Sequence, residues 1–400
     1  MHRKIFWTIW TCSLVWFLAG CDTEETPNFG TPVPCQMPAI AADTPIELTD
    51  DVFFMNDMEI VPQGINSYPL LQHIGNDNTE AVLDIFAQAT ELGRPLVRTN
   101  AFMDGGSSPA RIRDSDGSIR EEGLAALDRL VHLARVSGVK LLLVLTNNWS
   151  DYGGAGAVVD AVAPGENLPK DAFWSEPRAV AAQREYLQTI AGRKNTLSER
   201  IYGSDPAVFG WVLANEPRCV EPEWCHGPST LVTWARTMVA ALREAGAVQP
   251  IAWGGVGYLG RYGEDLEAIA EDGAVDILTF HLYPEVTYPL LQRVRGQLRV
   301  DLAIEIGADM IAKVARIAKR YRKALIVEEF GWRPPPGGHR DGERAQIYAG
   351  WIDAALYWDV PVFPWMIGER GRVDYDGFLV RPEHQLTVDA ISCQFPTSQQ

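Results

Sequence analysis

Residues 210–219 read GWVLANEPRC and join an apolar run to a polar end. The run over residues 208–216 has the length and composition of a buried strand, and it closes with Asn215 and Glu216 before Pro217. Proline lacks a backbone N–H and cannot continue a central strand. The segment therefore predicts a buried strand whose last residue carries a carboxylate.

The same alternation of an apolar run with an amphipathic helical pattern extends along most of the chain. Eight runs are predicted as strands: residues 61–68, 95–102, 140–148, 208–216, 250–257, 277–283, 324–330 and 361–367. Predicted helices lie between them: residues 79–92, 122–137, 176–192, 229–245, 265–272, 306–321 and 342–357. This order predicts an α/β fold, a single (β/α)8 TIM barrel over residues 46–395 with a short N-terminal hairpin at residues 51–60.

The N-terminus has the pattern of a secretion signal. A basic start, His2-Arg3-Lys4, precedes the apolar residues 5–18 and the small residues before Cys21. Leu-Ala-Gly-Cys resembles a bacterial lipobox, so we predict a signal peptide over residues 1–21 and a lipid on Cys21. An ordinary cleaved signal or an uncleaved anchor is the alternative. Residues 22–45 are rich in Thr and Pro and are predicted to tether the domain to a membrane of the bacterial envelope, on its periplasmic or cell-surface side.

Four cysteines remain after Cys12 leaves with the signal and Cys21 is acylated: Cys35, Cys219, Cys225 and Cys393. An even number in an exported chain indicates two disulfides. Three connectivities are possible, and we favour Cys219–Cys225 with Cys35–Cys393. Paired His/Cys spacings of a metal site are not found in the sequence. We therefore predict neither a metal site nor a cofactor.

The net charge of −17 disfavours nucleic acid and anionic polymers as partners. A neutral substrate is easier to accommodate, and we expect a monomer that meets the membrane only through its N-terminal lipid. The 13 tryptophans suit a sugar-binding cleft, because aromatic planes stack on the apolar faces of sugars, or they fill the core.

The predicted strands end in polar and aromatic residues, although their interiors are aliphatic. In a (β/α)8 barrel the strands' carboxyl ends carry the active site. Glu216 and Glu329 end the fourth and seventh runs, which face each other across the barrel. Two carboxylates across a cleft are what glycoside hydrolysis requires, since one protonates the leaving oxygen while the other attacks or activates water.

Several segments resemble glycoside hydrolase family 5. WVLANEPR and VEEFGW resemble its acid/base and nucleophile strands, and LVRTNAF resembles its strand-two arginine motif. LTNNWSDYGG, TFHLYP and YDGF are similar to the endo-β-1,4-mannanase subfamily. The resemblance covers residues 48–390. It implies a retaining glycosidase that cleaves β-1,4-mannosidic linkages in mannan-type polysaccharides or oligosaccharides.

The resemblance makes Glu216 the general acid/base and Glu329 the nucleophile. Consecutive strand residues point to opposite faces, so Glu328 is expected behind the site, with a swap of the two as the alternative. Arg98 is expected to keep Glu329 ionised, or to form a structural ion pair, while Glu216 stays protonated at rest.

The remaining predicted site residues bind sugar or support the pair. Asn215 is expected to meet the sugar 2-hydroxyl or to hold its turn. Tyr283 is expected to hydrogen-bond Glu329, His281 to line the pocket and Trp365 to lie under the sugar. Trp149 and Trp332 either form outer subsites or pack in the core. The predicted set is completed by Asn100 and Asn148.

Three departures from the subfamily pattern affect substrate length. Asn100 replaces a common tryptophan, the loop over residues 332–339 is unfamiliar, and the Cys219–Cys225 loop follows the acid/base strand. The alternatives are therefore a cellulase or β-glucanase, or an exo-β-glycosidase, of the same family. An alternative of another class is a non-catalytic glycan-binding surface lipoprotein, which has no need of both glutamates.

Overall fold

The computed structural model describes residues 35–257, 262–333 and 341–394. Within these ranges the first element is a small antiparallel sheet in the order β1-β2-β3. Its strands are β1 (Glu47–Thr49), β2 (Val52–Met55) and β3 (Met58–Ile60). The predicted hairpin corresponds to β2 and β3, and β1 adds a third strand, which is too short to be predicted from its sequence pattern.

Eight parallel strands follow, which confirms the predicted (β/α)8 barrel. They are hydrogen-bonded in chain order, each strand to the next. The strands are β4 (Gly64–Asn66), β5 (Leu96–Asn100), β6 (Lys140–Val144), β7 (Val208–Val212), β8 (Ile251–Ala252), β9 (Ile277–Leu282), β10 (Ala324–Phe330) and β11 (Val362–Pro364).

Asn66 closes the barrel between its first and last strands. Its side-chain amide donates hydrogen bonds to the carbonyl oxygens of Glu328 at 2.9 Å and Phe363 at 3.1 Å. The backbone N–H of Ile367 donates to the Asn66 carbonyl at 3.0 Å. One buried side chain thus joins β4 to β10 and β11 where backbone pairing is sparse.

Helices surround the barrel and cover its apolar outer surface. In α2, the Asn78 side chain accepts a hydrogen bond from the N–H of Ala81, which caps the helix start. Val82, Ile85 and Phe86 lie on one face of this helix and are buried. The helices in the described ranges are α1 (Leu70–Gly75), α2 (Thr79–Glu91), α3 (Glu121–Val136), α4 (Gly154–Val162), α5 (Pro177–Gly192), α6 (Pro228–Glu244), α7 (Leu266–Asp272), α8 (Pro284–Thr287), α9 (Pro289–Arg293), α10 (Gln297–Arg320), α11 (Asp341–Leu356) and α12 (Gln385–Ile391).

Most of the predicted strands extend too far at their carboxyl ends. The run predicted over residues 208–216 forms a strand only to Val212, and the run over residues 140–148 only to Val144. Beyond these points the backbone leaves the strands and forms turns, which carry Glu216 and Trp149 at the barrel mouth. The apolar pattern predicts burial correctly there, but burial alone does not distinguish a strand from a buried turn.

The tether prediction is wrong for residues 35–45, which belong to the folded domain. Met37 and Ile40 are buried, and the N–H of Met37 donates to the Gly93 carbonyl at 2.8 Å. The Lys140 ammonium donates to the carbonyls of Ala41 at 3.1 Å and Ala42 at 2.8 Å. The signal peptide, Cys21 and residues 22–34 lie outside the described residues, as do residues 334–339 of the unfamiliar loop.

The described cysteines form two disulfides, with the favoured connectivity. Cys35 is joined to Cys393 and Cys219 to Cys225. The first links the N-terminal segment to the end of α12. Among the described residues, none of the helices combines the length and the apolar character that crossing a bilayer requires.

Candidate active site

Glu216 does not end a strand but occupies the turn that follows β7. Its φ is 49°, in the left-handed region that side-chain-bearing residues rarely adopt. Its N–H donates to the Gly254 carbonyl at 3.0 Å, and an isolated bridge pairs the preceding Asn215 with Asn147. Such strained backbone at a strand end persists only where its surroundings impose it, and it is concentrated at functional sites.

Three side chains hold the carboxylate of Glu216. The His281 ring nitrogen Nδ1 lies 2.9 Å from Oε1. The Trp149 indole donates to Oε2 at 2.9 Å, and the Arg218 guanidinium donates to the same oxygen at 3.1 Å. Both carboxylate oxygens are therefore oriented by donors that come from three different loops or strands.

Glu329 lies on β10 and is held from the opposite side. Arg98, on β5, donates to its Oε1 at 2.6 Å, and the Tyr283 hydroxyl donates to its Oε2 at 2.8 Å. His281 Nδ1 lies 3.3 Å from the same Oε2. The predicted contacts of Arg98 and Tyr283 with Glu329 are both present.

Glu328 lies behind the pair, as expected, because it contacts Arg98 and His281, which themselves hold Glu329 and Glu216; a bulge rather than strict alternation of faces places it there. The pairing of β10 with β9 shifts register between Val327 and Glu329, which makes Glu328 the extra residue of a bulge. Its Oε2 lies 3.3 Å from Arg98 Nη2 and 3.3 Å from His281 Nε2, and it is fully buried. The bulge cancels the alternation of faces, so both glutamates contact the same arginine.

The separation of Glu216 and Glu329 bears on mechanism. One carboxylate oxygen of each, together with a His281 nitrogen, lie within 4.8 Å of one another. Retaining glycosidases place their carboxyl groups about 5–5.5 Å apart, whereas inverting enzymes leave about 6.5–9.5 Å for a water molecule. The observed spacing fits direct attack by one carboxylate.

The charges of the pocket differ from the predicted resting state. Burial alone would lower the pKa of His281, but the carboxylates of Glu329, Glu216 and Glu328 raise it to about 10, so the ring is a cation at neutral pH. Burial also favours neutral Glu216, yet the hydrogen bond and charge of His281, with Arg218, outweigh it and lower the pKa of Glu216.

The pKa of Glu329 is shifted in the opposite direction, upward. Burial raises its pKa, and the negative charge of Glu216 adds to that effect, although His281 and Arg98 act against it. Protonated Glu216 and ionised Glu329 are the expected resting state, whereas the charges of the pocket favour ionised Glu216. The cause is His281, whose influence on the Glu216 carboxylate the sequence pattern does not reveal.

The protonated histidine also bears on metal binding. Glu216, His281 and Glu329 place ligand-type atoms together, but an imidazolium ring has no lone pair to give. A second group, Asp171 with Cys219 and Cys225, offers no thiolate because the two cysteines share a disulfide.

The other predicted residues differ in their contacts. Asn215 accepts from Arg98 at 2.7 Å and donates to Asn147 at 3.0 Å, so it supports the turn that it occupies. Asn148 is buried, and neither atom of its amide has a partner among the described residues. Asn100 is half-buried at the end of β5.

The tryptophans divide between cleft and core. Trp365 donates to Asp376 at 3.1 Å and stacks on Tyr68 with ring centroids 5.4 Å apart. Trp149 is 42% exposed beside Glu216, as a cleft residue should be. Trp332 is fully buried and donates to Glu343 at 3.0 Å, so it packs in the core.

Sequence reasoning assigned no role to Arg218, although it lies in the quoted NEPR segment. Its guanidinium lies 4.5 Å from the Trp149 ring centroid and 4.4 Å from that of Tyr262. Its position two residues after Glu216 was the available signal. The disulfide between Cys219 and Cys225 begins at the next residue and closes the loop beyond it.

Comparisons with known proteins agree with this geometry. A family model described as "GH family 5 beta-mannosidase-like" matches residues 88–350. The putative mannan endo-1,4-beta-mannosidase 4 of Arabidopsis thaliana is 31% identical over 340 residues, which cover 77% of this chain and 81% of that protein. Mannan endo-1,4-beta-mannosidase 4 of Solanum lycopersicum is 26% identical over 338 residues, with the same two coverages.

A solved structure supports the fold. The endo-1,4-beta-mannanase from Rhizomucor miehei superimposes with a TM-score of 0.74 at 24% identity, covering 87% of this chain and 98% of that chain. At 24% identity this superposition shows the barrel fold alone. The sequence matches show the family. The family model spans more than half of the chain, and a relative above 30% identity is covered over most of its length. The chain therefore belongs to glycoside hydrolase family 5, in its β-mannosidase-like group.

Proposed function

We propose that this glycosidase hydrolyses β-1,4-mannosidic linkages in mannan-type polysaccharides or oligosaccharides with retention of configuration. The observation that carries the proposal is the pair Glu216 and Glu329, of which one carboxylate oxygen each lies within 4.8 Å of the other. The substrate follows from the family match and from relatives that are named as mannan endo-1,4-beta-mannosidases.

In the first step Glu329 attacks the anomeric carbon while the bond to the leaving oxygen breaks. Glu216 donates its proton to that oxygen, which leaves as a neutral hydroxyl, and a glycosyl ester of Glu329 forms. Arg98 and Tyr283, which contact Glu329 at 2.6 and 2.8 Å, orient the attacking carboxylate. Glu216 must take up a proton first, and a bound sugar that excludes water from the carboxylate favours this.

In the second step the negative charge of Glu329 has been consumed by the ester. Glu216 removes a proton from water, the resulting hydroxide attacks the anomeric carbon, and the ester bond breaks to restore Glu329. Two inversions at one carbon give the β-anomer.

The sugar-binding roles follow from position. Trp365 is proposed to lie under the sugar at the cleavage point, since aromatic planes pack on sugar faces. Trp149, beside the acid/base, is proposed to contact the leaving sugar. Asn215 keeps an amide hydrogen for the 2-hydroxyl, while Asn148 and Asn100 supply further polar contacts.

Location and assembly complete the proposal. Two disulfides are typical of proteins that fold outside the reducing cytosol. We propose a signal peptide over residues 1–21, a lipid on Cys21 of a bacterial envelope protein and a tether shortened to residues 22–34. The catalytic domain would then begin near residue 35 and act as a monomer on a neutral glycan.

A hydrolysis panel tests the activity. Purified protein is incubated with linear mannan, galactomannan, glucomannan, carboxymethyl-cellulose and mannotetraose, and product sizes are measured against Glu329→Ala as the blank. Cleavage of mannan into several oligosaccharide sizes supports internal attack, whereas release of mannose alone indicates exo action. Cleavage of the cellulose derivative without mannan would establish the β-glucanase alternative.

Two further outcomes separate the remaining possibilities. Proton NMR of fresh product from mannotetraose should show the β-anomer before mutarotation, and an initial α-anomer would refute retention. Binding of mannan without turnover by folded protein would establish the glycan-binding alternative instead.

A further inference from the structure

The strained turn at Glu216 is held by an unusually short neighbouring strand. The N–H of Glu216 donates to the Gly254 carbonyl, two residues after β8 ends at Ala252. On the far side of β8, Trp253 makes the last backbone bond to β9, through the Ile277 carbonyl at 3.1 Å. The position of Glu216 thus depends on what fixes the backbone after Trp253.

The backbone N–H groups of Gly254 and Gly255 have no partner on a strand, and both donate to one side-chain hydroxyl. Thr279, fully buried on β9, accepts hydrogen bonds from Gly254 N–H at 2.7 Å and Gly255 N–H at 2.9 Å. Without this oxygen two buried donors would be left unpaired, and each unpaired donor costs about 1–3 kcal/mol. Thr279 therefore completes the ladder that the two-residue strand leaves unfinished.

The same turn packs closely against the segment that carries Glu216. Gly254 has φ of +92°, and a Cβ there would lie 1.7 Å from the Ala214 carbonyl oxygen. A Cβ on Gly255 would lie 2.4 Å from Glu264 Oε1, which also accepts from the Trp253 indole at 3.0 Å. The turn therefore has room only for glycines and lies close against the backbone of Ala214.

We propose that Thr279 is a positioning residue for the acid/base. Its hydroxyl fixes Gly254 and Gly255, and the Gly254 carbonyl fixes the backbone of Glu216 so that the carboxylate faces the leaving oxygen. Thr279 acts through the backbone and does not touch the substrate. The inference rests on the proposed role of Glu216 in glycoside cleavage.

Substrates with different leaving groups test the proposal. Proton donation matters for a sugar leaving group and little for 2,4-dinitrophenolate, which leaves as a stable anion. kcat/KM reports the steps up to the glycosyl-enzyme, so it isolates the acid role. Thr279→Val should lower kcat/KM for mannotetraose by about 10²-fold, which is the usual cost of displacing a catalytic group by about 1 Å. For 2,4-dinitrophenyl β-mannoside, kcat/KM should fall by only about threefold.

Thr279→Ser is the matched control, because it keeps the hydroxyl and loses only a methyl group. It should stay within about threefold of the unmodified protein on both substrates. Equal losses on both substrates with Thr279→Val, or no loss on either, would overturn the proposal. If circular dichroism shows that Thr279→Val does not fold, Thr279→Ala removes the same acceptor without adding bulk. Its loss of kcat/KM should again be much larger on mannotetraose than on 2,4-dinitrophenyl β-mannoside.

Crystal structures of the variants give a readout independent of turnover. In the variant without the hydroxyl, the distance from Glu216 N to the Gly254 carbonyl should exceed 3.5 Å, and the Glu216 carboxylate should leave Trp149. An unchanged Glu216 would refute the positioning role even if the protein proved inactive. Inactivity of the unmodified protein on both β-mannosides would instead contradict the proposed function, which is a separate result.

Discussion

His281 Nδ1 lies 2.9 Å from Oε1 of Glu216, so the proposed acid/base is paired with a buried cation. The same nitrogen lies 3.3 Å from Glu329, and the other ring nitrogen lies 3.3 Å from Glu328. Three carboxylates therefore face one imidazolium and two guanidinium groups, those of Arg98 and Arg218. The charge balance of the pocket, rather than either glutamate alone, decides where protons reside.

The first prediction concerns stability and pH. The folded-state pKa of His281 is raised to about 10 from an unfolded value near 6.5, so its stabilisation is present below pH 6.5 and is lost between pH 6.5 and 10. Its contribution changes by at most about 1.4 kcal/mol per pH unit. Urea unfolding at pH 6 and pH 9 should show a larger loss for the unmodified protein than for His281→Gln. Equal losses would contradict the buried cation.

The second prediction identifies the nucleophile, because Glu328 and Glu329 both contact Arg98. Glu329→Ala should reduce mannan hydrolysis by about 10³-fold or more, the equivalent of about 4 kcal/mol in the barrier. A 2-deoxy-2-fluoro-mannosyl fluoride should trap the glycosyl ester, and peptide mass spectrometry should locate it on Glu329. Glu328→Gln is the matched control and should still be labelled. A label on Glu328 would reverse the assignment.

The third prediction concerns Glu216. Glu216→Ala should lower kcat/KM for mannotetraose by about 10²–10⁴-fold, the usual worth of general acid–base catalysis, while an aryl mannoside with a good leaving group keeps most of its value. Azide should then accelerate turnover and yield the β-mannosyl azide, since it enters where water can no longer be deprotonated. Failure of azide to form this product would remove Glu216 from the acid/base role.

The fourth prediction concerns the acid side of the pH–rate profile. Burial raises the pKa of Glu329, and attack requires its ionised form. We expect kcat/KM to fall on the acid side with an apparent pKa above 4.5, the ordinary glutamate value. Stopped assays with an aryl mannoside in overlapping buffers measure it. An acid limb clearly below pH 4.5 would show that Arg98 and His281 outweigh burial.

The fifth prediction compares the two disulfides. Cys35–Cys393 joins residues 358 apart in sequence, whereas Cys219–Cys225 spans 6. Because a cross-link constrains the unfolded chain more when its loop is longer, the double Ser variant at 35 and 393 should lose about 2–5 kcal/mol of stability. The double Ser variant at 219 and 225 is the comparison and should lose less, as measured by calorimetry. The reverse order would indicate that the short loop is the more important restraint.

Much of the site follows from residue order. Glu216, Glu329, Arg98, His281 and Tyr283 each stand at or just beyond the end of an apolar run, and parallel barrel strands bring such ends to one face. The alternation of apolar runs with helical patterns was sufficient to predict the barrel, because both patterns depend only on residues close in sequence. The paired carboxylates followed from strands four and seven being opposite in an eight-stranded ring.

Other features depend on contacts between distant segments. The bulge at Glu328 arises from the way β10 pairs with β9, and it cannot be predicted from the residue type at position 328. The left-handed turn at Glu216 is hydrogen-bonded to Gly254, which is in turn hydrogen-bonded to Thr279 on β9. Packing of residues 35–45 on the barrel contradicted a Thr/Pro-rich composition that favours an extended tether.

The sequence by itself determined the barrel, the family and the carboxylate pair, because strand order and residue type at strand ends are encoded locally. The tertiary structure alone decided which way Glu328 points, how Glu216 is held and that His281 carries a charge. Those outcomes depend on burial and on distances of about 3 Å between strands, where a buried charge is governed by its nearest partners.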